Sequence, residues 1–204
     1  MGLRERKRQR THDAVSSAAI SLFLEHGYDQ VSVADIAAAA EISKPTLFRY
    51  FRSKEDLALH RIADHEGEAA RVVRQRPAHQ TPLAALREHF LDGLARRDPV
   101  TGLNDHPEVL AFHNLIFSTP SLSGRVNEYI ERDEEALADA LLQTGHASDP
   151  LTARLAAGQI LAVQRILARD NWRRLAAGET AAALFDTAKA SAGQAFRMLA
   201  SGLG

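Results

Sequence analysis

Lys44, Thr46 and Arg49 sit in one short run, SKPTLFRYF, residues 43–51. An ammonium, a hydroxyl and a guanidinium are donors of the kind that reach phosphate oxygens and base edges. Ser43 ahead of them is a helix N-cap, and Pro45 falls in the first turn, where its missing N–H is not needed. Leu47, Tyr50 and Phe51 recur at helical spacing and predict a core-facing stripe. The donors therefore point outward from a helix of about two turns.

The preceding residues supply a partner for that helix. Ser32 is an N-cap with Asp35 three positions on, and Ile36, Ala37 and Ala40 make one apolar stripe. Ala37 is small where two helices cross steeply, and Glu41-Ile42 forms the corner. Such a pair is a helix-turn-helix, whose second helix enters the DNA major groove, or else an ordinary hairpin in a helical core. Ser53 with Asp56 then opens another helix, with Lys54 at an N-terminus that suits a phosphate. Ser32 and Ser43 are further phosphate candidates. Lys44, Pro45, Thr46, Arg49 and Tyr50 are the base-edge and near-backbone candidates, Tyr50 serving equally well as a half-buried hinge.

Charge is placed unevenly around this element. Residues 4–10, RERKRQR, carry five basic groups and one acid in a chain whose net charge is −1. This run reads as an arm that follows a phosphate backbone or minor groove, with Arg8 and Arg10 as contacts, or as a solvated tail. There are no cysteines among the 204 residues, which leaves no disulfide or thiolate site. No apolar run reaches the ~18–20 residues of a membrane span. The basic N-terminus has no apolar stretch to make it a secretory signal, so a cytoplasmic location without membrane association is expected.

Periodicity along the chain predicts an all-α fold of about nine helices. A first helix, Thr11–His26, buries Ala14, Ala18, Ala19, Leu22 and Phe23 and ends at Gly27. A helix from Lys54 to near Arg74 is weakened at Gly67. Others follow over residues 82–97, 107–117 (apolar on nearly every side, hence well buried), 121–143, 150–169 and 180–199. The expected division is a helix-turn-helix domain of residues 1–56 and a larger helical domain of residues 57–204. The last two helices hold many small residues, among them Ala156, Ala157, Gly158, Ala162, Ala188, Ala192 and Gly193. That composition fits a bundle shared with a second copy of the chain, or a simple bias toward alanine.

From Gly27 to Leu57 the sequence GYDQVSVADIAAAAEISKPTLFRYFRSKEDL resembles the DNA-binding domain of TetR-type transcriptional regulators. Ser32, Ile36, Ala37, Ser43, Thr46, Leu47, Phe48, Tyr50, Phe51, Lys54, Glu55 and Leu57 stand at that pattern's positions. Glu41 departs from it, because the family's corner usually has glycine there. The resemblance implies a homodimer reading a palindromic operator on double-stranded DNA, more often as a repressor, and a larger domain that binds a small effector.

An apolar effector site in the larger domain would draw on Phe90, Leu94, Leu110, Phe112, His113, Phe117, Tyr129, Gln164 and Trp172, each of which also reads as core. The nine histidines raise metal sensing: His60 and Asp64 share a helix face, with His65 nearby and His89, His106 and His113 more distant. No set at metal-ligand spacing is visible, so neither a metal nor a cofactor is expected. Nucleophile-elbow, P-loop and dinucleotide motifs are missing, which argues against an enzyme. A nucleoid or adaptor protein that coats DNA without an effector stays open beside the metal-responsive regulator.

Overall fold

A computed structural model describes residues 2–202, with backbone alone for residues 3–5 and 7–9. Among the described residues there are ten α-helices and no strand. None of the helices is long and apolar enough to cross a membrane. The chain divides into two compact units, residues 1–65 with 111–129, and residues 66–110 with 130–204.

The first unit begins with α1 (Leu3–His26). Its backbone is helical from Leu3, so the basic arm continues α1 rather than trailing ahead of it. Arg6 and Arg10 are exposed, whereas the Arg8 side chain lies outside the described residues. The buried face of α1 is Val15, Ser16, Ala19, Ile20 and Phe23. Ala14, expected inside, is exposed, and Ser16 takes the interior because its hydroxyl donates to the Leu57 carbonyl. A polar residue with a backbone partner can be buried at little cost.

Next come α2 (Val33–Ala39), α3 (Lys44–Tyr50) and α4 (Lys54–Ala63). Leu57, Ala58, Leu59 and His60 are buried in α4. The expected boundary after residue 56 therefore cuts through a helix that belongs to the first unit. The helix foreseen from Lys54 to Arg74 is two helices, because Gly67 adopts φ 71° and starts α5 (Glu68–Gln75).

The second unit holds α5, α6 (Pro82–Arg96), a 3₁₀ turn (Pro99–Thr101), α9 (Pro150–Ala176) and α10 (Ala181–Gly202). Helices α7 (Pro107–Ser118) and α8 (Pro120–Gln143) each contribute residues to both units. The second unit's core joins Leu86, Phe90, Leu94, Leu137, Ile160 and Phe196, with the Phe90 and Phe196 rings 6.2 Å apart. Gly102 is obligatory there: at φ +72° its missing Cβ would stand 1.9 Å from the Ala168 carbonyl oxygen.

One burial expectation fails. Only Ile116 of α7 is buried, and Phe117 is 44% exposed. On α9, Ile160 is buried, but Leu151, Leu155 and Ile166 are 67%, 56% and 64% exposed.

Candidate nucleic-acid interface

Local hydrogen bonds build the reader. Ser32 and Asp35 form a reciprocal capping box: the Asp35 N–H donates to Ser32 Oγ at 3.2 Å and the Ser32 N–H donates to Asp35 Oδ2 at 2.8 Å. The Ser32 hydroxyl also donates to Asp35 Oδ2 at 2.6 Å and, with the backbone bond, holds that carboxyl below the usual carboxylate range. At the corner, the Ile42 N–H bonds the Ala37 carbonyl and the Glu41 N–H bonds the Ala38 carbonyl. This paired closure places Glu41 at φ 53°, the left-handed position where glycine is usual.

Ser43 caps α3 by accepting the Thr46 N–H at 3.3 Å, and its hydroxyl lies 2.8 Å from Thr46 Oγ1. Leu47 is fully buried and Phe51 nearly so, which fixes the rotation of α3. Lys44, Pro45 and Arg49 are exposed, while Thr46 and Tyr50 are half-buried. Phe48, left out of the candidate contacts, is 52% exposed on the same outward face. Its apolar ring suits a thymine methyl, and its place one turn after Lys44 was the signal available. Seven residues make a helix roughly 10 Å long, matched to a major groove about 12 Å wide.

Lys54 is placed differently from Lys44. Its Nζ donates to the Tyr28 carbonyl and lies 4.1 Å from the centre of the Tyr28 ring. The Tyr28 hydroxyl in turn donates to Glu55 Oε1 at 2.9 Å. Burial, then that carboxylate, push the phenol well above its ordinary value, so it stays a proton donor. Lys54 thus clamps the loop after α1 to the start of α4, and its charge is already engaged inside the unit.

The nine effector candidates are split between the units. Phe112, His113, Phe117 and Tyr129 fall in the first, and Phe90, Leu94, Leu110, Gln164 and Trp172 in the second. Phe90 and Leu94 belong to the second unit's core. A groove of about 390 Å³ in that unit is lined by Arg87, Leu91, Asp186, Lys189, Ala190, Gly193 and Arg197, none of the nine. His60 keeps its expected neighbour Asp64, with Nδ1 3.8 Å from Asp64 Oδ1. His89 joins Glu68 at 3.1 Å, while His60 meets His12 and Asp13 of α1, a cluster at metal-ligand distances that the sequence had not disclosed.

Comparison with known proteins agrees with this geometry. The family described as "Bacterial regulatory proteins, tetR family" matches residues 16–60, which run from the middle of α1 into α4. The transcriptional regulator TcmR of Streptomyces glaucescens is 34% identical over 179 residues, covering 85% of this chain and 78% of TcmR. This chain belongs to the tetR family of regulatory proteins. It is therefore a DNA-binding transcriptional regulator rather than an enzyme. The nucleoid occlusion factor SlmA of Escherichia coli is 30% identical over 165 residues, covering 76% of this chain and 79% of SlmA. The crystal structure of NalD, a repressor from Pseudomonas aeruginosa, superposes with a TM-score of 0.61 over 93% of this chain and 96% of NalD. At 18% identity that match speaks for the tetR-family fold alone.

Proposed function

We propose that this tetR-family protein represses transcription in the cytoplasm, binding a palindromic operator as a homodimer and leaving it when a small effector binds. The observation that carries the reading is the outward face of α3, where Lys44, Pro45, Phe48 and Arg49 are exposed beside Thr46. Lys44 and Arg49 supply base-edge and phosphate donors. Ser43, Ser32 and Tyr50 lie close enough in sequence to approach the backbone at the edges of the footprint.

Dimerisation through α9 and α10 is supported by an apolar stripe with three exposed large side chains. The exposed Leu151, Leu155 and Ile166 and the half-buried Gly158 and Ala162 recur at helical spacing on α9, and Met198 on α10 is 66% exposed. Apolar side chains exposed in such a row mark an interaction surface. The effector is taken to be apolar or amphipathic, with half-buried Leu110, Gln164 and Trp172 as the second unit's contributions.

Selection of the full-length chain against random duplexes tests the reading. It predicts enrichment of one short palindrome, with half-sites about 34–36 Å apart. Uniform recovery of all sequences with a steep salt dependence would instead support a DNA-coating role, the alternative that the likeness to SlmA keeps in play.

A further inference from the structure

We propose a transition-metal site within the DNA-binding unit, formed by His12, Asp13 and His60. His12 Nδ1 lies 3.0 Å from His60 Nε2, and Asp13 Oδ1 lies 3.3 Å from the same nitrogen. All three donor atoms fall within 4.8 Å of one another. Ligands about 2.0–2.1 Å from a tetrahedral Zn²⁺ stand roughly 3.3–3.4 Å apart, so both contacts of His60 are already close to coordination spacing.

The surroundings orient the rings for this role. His60 is 10% exposed, and its other nitrogen, Nδ1, lies 3.8 Å from Asp64 Oδ1. A histidine whose far nitrogen faces a carboxylate is the arrangement that fixes a metal-binding ring. The His12 ring stacks on Phe51 with centroids 4.1 Å apart and meets the Tyr50 ring edge-on with centroids 6.1 Å apart. Asp13 is 55% exposed and leaves a path for the ion and a position for water or a fourth ligand. Two imidazoles and one carboxylate suit Zn²⁺ and its neighbours, and disfavour the all-oxygen preference of Ca²⁺ and Mg²⁺. An ion held there would join α1 to α4 directly behind the C-terminal end of α3.

Titration of the full-length, chelator-treated chain with Co²⁺, followed by displacement with Zn²⁺, tests the assignment. The expected result is one Co²⁺ per chain with an intense visible absorption band, and a rise in Tm with Zn²⁺. Asp13→Asn, at an exposed position that leaves the fold intact, should weaken Co²⁺ binding about tenfold or more, as should loss of the orienting carboxylate in Asp64→Asn. His26→Gln, at an exposed histidine far along α1, should change nothing. Equal Co²⁺ affinity in the wild type and Asp13→Asn, or only the weak spectrum of hydrated Co²⁺, would overturn the proposal.

Discussion

Arg125 of α8 reaches back 69 residues to α4, its Nη2 lying 3.2 Å from Asp56 Oδ1, while its Nη1 bonds Glu128. The start of α8 is thus tied to α4 by this ion pair. The Arg125 and Asp56 side chains are 35% and 18% exposed, so solvent screening holds the pair to about 1 kcal/mol or less. A double-mutant cycle with Arg125→Ala and Asp56→Ala should return a coupling energy of about 0.5–1 kcal/mol by urea denaturation. Strictly additive effects would show that the contact is not made in solution.

Glu41 occupies a left-handed conformation that costs a non-glycine residue about 1–2 kcal/mol. Glycine removes that strain but gives back roughly 0.5–1 kcal/mol in chain entropy. The strain is the larger quantity, so Glu41→Gly should raise stability by about 0.5–1 kcal/mol, and Glu41→Val should lower it. A lower urea midpoint for the glycine variant would mean that the corner closes in another way.

Leu155→Glu and Ile166→Glu place charge in the exposed stripe of α9. Sedimentation velocity should show single chains for both variants and a dimer for the wild type, with unchanged helix content. Dimers of unaltered strength would move the interface elsewhere.

Asp149 caps α9. Hydrogen bonds from the Thr152 hydroxyl and backbone, with a further one from Ser148, lower its pKa from 3.8 to about 2. A carboxyl depressed in the folded state stabilises above its unfolded pKa and loses that contribution as pH falls through the folded value. The stability gap between the wild type and Asp149→Ala should therefore be full above about pH 5 and close between pH 3.8 and pH 2. A gap that does not change with pH would show that the cap acts without its charge.

What the sequence disclosed followed the range of the interactions. The Ser32–Asp35 and Ser43–Thr46 caps span three residues, so the reader and its outward donors were legible. Features set by distant partners were not. Ser16 replaced Ala14 inside α1 because of a carbonyl 41 residues away, and the His12–His60 contact spans 48 residues. Apolar periodicity also could not say whether Leu151 and Ile166 face their own core or another surface. For the same reason Phe90 and Leu94 read equally as cavity lining and as the packing they provide.

The central claim is that α3 reads DNA through Lys44 and Arg49. Fluorescence anisotropy on the selected operator, comparing the wild type with Lys44→Ala and Arg49→Ala, tests it most directly. Each substitution should cost about 1–3 kcal/mol of affinity, roughly 5–150-fold in Kd, with helix content and dimer mass unchanged. Equal affinity in all three proteins would contradict the account.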